Sequence, residues 1–358
     1  MTESLKSRNA FGKPLNLTKG RVDLAHGSGG RAMAQLVEEL FLDAFDNEYL
    51  NQGNDQAAFD IPAALKDGGR LAMSTDGYVI SPIFFPGGDI GSLAVHGTVN
   101  DVAMSGGRPL YLSAGFIIEE GFPLADLKRV VDSMAAASRK AQVPVVTGDT
   151  KVVERGKGDG IFITTAGVGV IPPGIDLGGS KLTPGDKIIA SGTLGDHGVA
   201  VMSKREGLEF ETEILSDSQA LHFLIADMVA ASPAGLKCLR DPTRGGLAAT
   251  LNELARQSGV GMLVQEADIP LRADVKGACE LLGLDPLYVA NEGKLLAFVA
   301  PDAADTVLAA MQANEAGVDA AIIGEVTEDE HFFVQMETAF GGRRIVDWIA
   351  GEQLPRIC

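Results

Sequence analysis

Residues 171–179 interrupt the chain with Ile171-Pro172-Pro173-Gly174 and then Asp176-Leu177-Gly178-Gly179, its densest run of turn-forming residues. Proline fixes φ and has no N–H to donate, so neither a helix nor a central strand continues through Pro-Pro-Gly. A chain of 358 residues also exceeds the usual reach of one hydrophobic core. The break divides it into two pieces of similar size, each of which must build its own interior. Hydrophobic residues make up 46% of the sequence, enough for both.

Periodicity gives the same character to the two pieces. Met33, Leu36, Val37, Leu40 and Phe41 recur at helical spacing within Arg31 to Phe45. Helical composition returns in Ser92 to Met104 and Ala125 to Ala141. Strand-like runs cover Leu71 to Ile83, Tyr111 to Ile118, Val143 to Thr147 and Ile161 to Val170. After the break, strands are expected at Lys187 to Ser191, Met262 to Gln265, Leu295 to Ala300, Ala321 to Thr327 and Phe332 to Met336. Helices are expected near His197 to Arg205, Ser218 to Ala231, Ala248 to Gln257 and Ala303 to Asn314. The fold class is therefore α+β. The expected organisation is a polar arm over residues 1–19, an N-terminal domain over 20–172, a C-terminal α+β domain over 173–336 and a mobile tail over 337–358. Gly341-Gly342 and Gly351 loosen that tail, while Val346, Trp348, Ile349 and Leu354 give it side chains that can dock on the body.

A formal charge of −18 argues against nucleic acid and anionic membrane surfaces as partners, since both need a basic face. No segment reaches the roughly 18 continuous apolar residues of a membrane span, and Met1-Thr2-Glu3-Ser4-Leu5 lacks the layout of a signal peptide. The expected location is the cytoplasm. Three cysteines, Cys238, Cys279 and Cys358, are an odd and sparse set that suits a reducing compartment. Cys358 ends Leu354-Pro355-Arg356-Ile357-Cys358, where packing gives no reason for a thiol. A neighbouring α-carboxylate would raise its pKa, so it reads as a carrier rather than a self-activated nucleophile.

Five aspartates sit among small or turn-forming residues: Asp55 in Gly-Asn-Asp-Gln, Asp76 in Ser-Thr-Asp-Gly, Asp101 in Val-Asn-Asp-Val-Ala-Met, Asp149 in Thr-Gly-Asp-Thr-Lys, and Asp241 in Asp-Pro-Thr-Arg-Gly-Gly. Each alone reads as a turn or cap residue. Brought together, each ionised pair about 5 Å apart would repel by roughly 3 kcal/mol at an effective dielectric of 20, so convergence requires a cation. Hard oxygen ligands without thiolate or imidazole suit magnesium, which bridges to nucleotide phosphates. No Gly-x-x-x-x-Gly-Lys-Ser/Thr loop occurs in the chain, so a nucleotide site must belong to another fold. Gly27-x-Gly29-x-x-Ala32 imitates a dinucleotide fingerprint but lacks the preceding strand and the acidic partner. Lys151 and Arg244 are the candidate phosphate cations.

Ala25-His26-Gly27-Ser28-Gly29-Gly30, Ser74-Thr75-Asp76-Gly77, His96-Gly97-Thr98-Val99-Asn100-Asp101-Val102-Ala103-Met104, Gly148-Asp149-Thr150-Lys151, Asp241-Pro242-Thr243-Arg244-Gly245-Gly246, Asn291-Glu292-Gly293 and Pro355-Arg356-Ile357-Cys358 follow one another in order. Together they resemble the HypE family of hydrogenase maturation proteins. The internal motifs point to the wider superfamily of aminoimidazole ribonucleotide synthetase, selenophosphate synthetase and thiamine-phosphate kinase, and the terminal motif narrows it. The resemblance implies a two-domain PurM-like subunit that forms a homodimer through N-terminal-domain strands, with ATP and Mg2+ as cofactors. It implies that a partner carbamoyltransferase, HypF, loads a carbamoyl group onto Cys358, and that ATP-dependent dehydration converts it to a thiocyanate. The cyano group would then pass to iron on a HypC–HypD scaffold, as a ligand of [NiFe] hydrogenase. Carried over by motif, Asp55, Asp76, Asp101, Asp149 and Asp241 become metal and phosphate-site acids, supported by Asn100, Thr150 and Arg244. Lys151 and Glu292, with Cys358, become the catalytic candidates. The rival readings are a synthetase or small-molecule kinase acting on a diffusible substrate, and a non-catalytic assembly scaffold.

Overall fold

The computed structural model describes residues 13–28, 31–52, 57, 60, 62–208, 213–348, 354 and 356–358. Three short helices, α1 (Arg31–Leu36), α2 (Asp43–Phe45) and α3 (Ala63–Lys66), precede the first sheet, and a π-helical turn over Val37–Leu42 joins the first two. The sheet uses β1 (Arg70–Tyr78), β4 (Arg108–Glu119), β5 (Val145–Val153) and β6 (Ile161–Ile171) in the order β1-β6-β4-β5. Only the β4–β5 pair is parallel. A small hairpin of β2 (Phe84–Phe85) and β3 (Gly88–Asp89) leads into α4 (Ile90–Ala103), and α5 (Leu124–Ala141) packs beside it.

The start of α4 is fixed by Asp89, whose carboxylate accepts from Gly91 N at 2.8 Å and Ser92 N at 3.0 Å, while Ser92 Oγ accepts from Asp89 N at 3.2 Å. Such reciprocal caps satisfy N–H groups that have no partner inside the helix. Helix α4 lies against the sheet, and Gly97 permits the approach: a Cβ there would stand 2.4 Å from Tyr78 Oη. Among the described residues no helix covers the opposite face of the sheet. Leu71 and Met73 of β1 are 61% and 78% exposed there, with Ile117 of β4.

Beyond the break, a seven-stranded sheet runs β13-β12-β9-β11-β7-β10-β8. Its strands are β7 (Lys187–Ala190), β8 (Leu236–Arg240), β9 (Gly261–Gln265), β10 (Leu296–Val299), β11 (Ala321–Thr327), β12 (Val334–Glu337) and β13 (Arg343–Ile345). The helices are α6 (Asp196–Glu206), α7 (His222–Ala231), α8 (Gly246–Ser258), α9 (Ala273–Leu282) and α10 (Ala304–Gln312). Buried clusters centred on Leu247, Leu251 and Phe298, and on Leu224, Met228 and Val307, form its interior. Strand β8 and helix α9 had no counterpart in the sequence reading. The expected strand over Leu71 to Ile83 stops at Tyr78, and the expected helix from Ser218 begins at His222. The expected tail from residue 337 supplies β13, and Val346 just after it is buried.

Candidate active site

Strand register sorts the acidic candidates into two groups. Asp76 lies in a row with Thr165, whose hydroxyl donates to Ala94 O of α4, so Asp76 is on the helix-covered face. Asp101, on α4 itself, accepts from Ser74 Oγ at 2.8 Å, two residues before Asp76 on that face. Asp149 instead shares a row with Gly115, Thr164 and Gly77 on the open face. Three strand spacings, about 14 Å, separate it from β1. There it pairs with Lys151 at 2.6 Å, and both side chains are well exposed. Thr150 points the other way and is buried in the row of Phe116, Ile163 and Tyr78. Asp55 lies outside the described residues.

The chain end enters the helix-covered side. Val79 N donates to Cys358 O and Ser81 N to Arg356 O, both at 3.1 Å, so residues 356–358 run antiparallel beside the segment that follows β1. Ile357 is buried in the N-terminal core, and Leu354 reaches both this core and a cluster around α6 and α9. Burial pushes the Cys358 thiol up to about 12; Glu292 adds to this, Arg244 opposes it, and Asp76 and Asp241 contribute further. The expected direction holds, but the dominant cause is burial. The thiol is thus within electrostatic reach of Glu292, Arg244, Asp76 and Asp241.

Glu292 is held by a clamp between the domains. Asn291 Oδ1 accepts from Gly195 N at 2.7 Å, and its amide donates to Pro242 O and Val289 O. Gly293 sits so close to Asp217 that a Cβ would meet Asp217 O at 1.8 Å. Asn100 reaches across from α4: its amide donates to Gln219 O at 2.9 Å and Glu292 O at 3.2 Å, and its oxygen accepts from Leu221 N at 2.7 Å. That side chain is thus committed to backbone groups of the clamp.

Glu292 is 6% exposed and its Oε1 has no hydrogen-bond partner. Burial first, then Asp217, Asp241, Asp76 and Asp101, hold its pKa well above the usual glutamate range. Asp101 is raised to about 7 by burial and by Asp241, against the Ser74 hydrogen bond. Asp241 stands at the entry to α8, where Gly245 and Gly246 take positive φ and Thr243 Oγ1 donates to its carboxylate. A Cβ on Gly246 would lie 2.5 Å from Val289 O, which explains glycine there. Among the described residues no three histidine, cysteine or acidic side chains are gathered closely enough to hold a metal unaided. Even so, Asp76, Asp101 and Asp241 all raise the proton affinity of Glu292, and Asp241 and Asp76 raise that of Asp101.

Four residues escaped the sequence reading: His197, Arg205, Asp196 and Asp217. His197 Nε2 donates to Ile357 O at 2.8 Å, and Arg205 Nη2 donates to Arg356 O at 2.9 Å. Among the described residues Asp217 Oδ2 has no hydrogen-bond partner, and Asp196 Oδ1 has none but stands 3.6 Å from Arg272 Nη1. Their local signals, Gly-Asp-His-Gly and Ser-Asp-Ser, look like a helix start and a turn.

Comparison with known proteins accounts for this arrangement. Residues 53–171 match the N-terminal domain of AIR synthase related proteins, and residues 183–337 match the C-terminal domain. The chain is 64% identical to the carbamoyl dehydratase HypE of Rhizobium leguminosarum bv. viciae, covering 98% of each. A crystal structure of a hydrogenase maturation protein HypE in complex with ATP superimposes with a TM-score of 0.89 at 48% identity, over 94% of this chain and 99% of that one. A structure of a HypE–HypF complex matches with a TM-score of 0.76 at 48% identity, over 88% of this chain and 99% of that one. Two shared domains and 64% identity over nearly the whole chain assign it to the HypE family of carbamoyl dehydratases, within the AIR synthase related proteins.

Proposed function

We propose that this protein dehydrates an S-carbamoyl group on its own Cys358 to a thiocyanate at the expense of ATP, supplying the cyanide ligand of [NiFe] hydrogenase. The single observation that carries the reading is the docked chain end: Ile357 is buried and residues 356–358 are held by Val79, Ser81 and His197, which brings Cys358 within electrostatic reach of Glu292, Arg244, Asp76 and Asp241. A self-activated nucleophile would need a lowered pKa, whereas this thiol is raised to about 12. It carries a group already attached.

The carbamoyl oxygen is a poor leaving group until phosphorylated. Transfer of the γ-phosphoryl group to that oxygen, with loss of one N–H proton and release of ADP, gives an imino phosphate. Breaking the C–O bond then releases phosphate, and loss of the second N–H proton leaves S–C≡N. Glu292, buried and with one oxygen free, is the acceptor of the nitrogen-bound proton. Arg244 offers charge to the phosphoryl oxygens. Asp76, Asp101 and Asp241 are the residues that would hold magnesium, which when bound neutralises phosphate charge. Low solvent access around Glu292 strengthens these interactions.

HypF is the carbamoyl donor in this reading, and the HypC–HypD scaffold is the acceptor of the cyano group. The protein acts as a homodimer through the open face of the first sheet, where Leu71, Met73 and Ile117 are exposed. Lys151 lies on that open face, away from Cys358 of its own protomer, so its part in the reaction is assigned across the dimer.

Mass analysis of the C-terminal peptide after incubation with the carbamoyl donor system tests the reaction. Without ATP the carbamoyl adduct should accumulate. With Mg-ATP it should convert to an adduct lighter by one water. An adduct that persists with Mg-ATP present overturns the proposal.

A further inference from the structure

The last three residues are held from two sides by groups of unlike character. Along one edge, the amides of Val79 and Ser81 take the carbonyls of Cys358 and Arg356. The Ile357 carbonyl is taken by a different element and meets His197 Nε2 at 2.8 Å. Arg205 lies across the join. Its guanidinium donates to Ser81 O through Nε at 2.9 Å and again through Nη2, and to Arg356 O. His197 and Arg205 are two turns apart on α6, so one rigid helix of the C-terminal domain reads consecutive tail carbonyls.

The imidazole is prepared for this contact. A carbonyl can only accept, so Nε2 must carry the proton, and Nδ1 must then accept from Ser216 Oγ at 2.8 Å. Ser216 Oγ is itself turned by Ser218 N, which donates to it at 3.1 Å, leaving its own proton for the ring. Ser216 N is tied to Pro86 O at 2.9 Å, and Phe85 meets the imidazole edge to face at 5.5 Å between ring centroids. The ring is fully buried, which keeps it neutral. Tautomer and orientation are therefore set before the tail arrives.

The tail is not relaxed where it is gripped. Arg356 has φ of 51°, the left-handed region that a branched or long side chain seldom occupies. Such a residue persists where surrounding contacts over-determine it. Its guanidinium donates to Val79 O at 2.8 Å and pairs with Asp159, while its carbonyl is held by Ser81 N and Arg205. A strained segment opposed by several separate hydrogen bonds is poised for reversible release.

We propose that His197 and Arg205 form a carbonyl-reading latch that positions the chain's own last three residues with Cys358 facing the acidic pocket. Loading of Cys358 by an external donor then requires this latch to open, and dehydration requires it to close. The second half of that statement rests on the dehydratase reading above. The first half does not, because the latch can be read in unmodified protein.

The test measures alkylation of Cys358 by iodoacetamide, resolved by peptide mass from the buried Cys238 and Cys279. In His197→Ala and Arg205→Ala, alkylation should rise by about tenfold, the change expected for loss of one buried hydrogen bond. His197→Gln, whose amide N–H reaches the position of Nε2–H, should restore protection. Single-turnover dehydration of preloaded carbamoyl-Cys358 should fall in the alanine variants, while loading by the donor is unchanged or faster. Unchanged alkylation in both alanine variants overturns the latch. So does equal loss of loading and dehydration with a lowered Tm and no rescue by glutamine, which marks a merely structural role. Protected Cys358 that opens in the variants, in a protein that never dehydrates the adduct, leaves the latch standing and removes the dehydratase reading instead.

Discussion

Glu292 combines burial, an unpartnered oxygen and four acidic neighbours, which makes it the most costly side chain in the site to keep. Such a group is retained for chemistry. Glu292→Gln keeps the shape and removes the proton acceptor, so dehydration of preloaded protein should slow by about 100-fold or more while ATP still binds, as read by single-turnover mass analysis and calorimetry. In the unsubstituted protein the rate should rise with pH, because the acceptor must be ionised, and the rising limb should lie above the ordinary glutamate range. Asp101 offers a stability test at the same scale. Its folded pKa is about 7 against an ordinary 3.8, so the native state binds the proton more tightly than the unfolded chain. Its ionisation therefore destabilises the fold progressively as pH rises from about 4 to about 7. Asp101→Asn should raise the melting temperature at pH 8, by an amount corresponding to a few kcal/mol at most, and the advantage should vanish near pH 4. An equal advantage at both pH values would assign the effect to packing instead. Asp76, Asp101 and Asp241 stood out in sequence through their small or turn-forming neighbours, as did Asp149, which lies on the other face of the sheet. Asp217 and His197 did not, since their significance lies in partners more than seventy residues away.

At the scale of elements, the strand and helix periods that were strong in sequence correspond to β4, β6, α4 and α5, whose hydrophobic faces meet inside one domain. Helix α9 was missed because Gly277 interrupts a short amphipathic pattern, and β8 because five residues that include Lys237 and Arg240 carry little periodic signal. The tail is the instructive case. Its glycines read as looseness, yet Ile357 is 2% exposed and the backbone on either side of it is hydrogen-bonded. What holds it is a receptor made of residues 79–81 and α6, and a local pattern cannot register that. The pairing has a direct observable. Val79 and Ser81 amides donate to tail carbonyls, so deletion of residues 356–358 should accelerate hydrogen exchange at these two amides while those within the β1–β6 ladder stay protected. Ile357→Ala should give a smaller acceleration, since it removes buried contact but leaves the backbone bonds in place. Exchange at Val79 and Ser81 unaffected by the deletion would mean that the tail does not occupy this position in solution.

Across the described residues, one face of the first sheet carries no helix layer. A sheet with a helix layer on one side and Leu71, Met73 and Ile117 exposed on the other buries only half of what it could. The same face carries Asp149 and Lys151, three strands away from the pocket that holds Cys358. Within one protomer the sheet therefore separates Lys151 from the thiol, so the role proposed for Lys151 in the reaction requires the partner copy. Met73→Glu places a charge at the centre of that apolar surface without touching the tail, the clamp or the acidic pocket. The expected outcome is a shift from dimer to monomer in sedimentation analysis. Dehydration of preloaded Cys358 should be lost, while protection of Cys358 from alkylation is unchanged. A monomeric Met73→Glu protein that still converts the carbamoyl adduct at the original rate would show that each protomer holds a complete site, and the assignment of Lys151 across the dimer would fall with it.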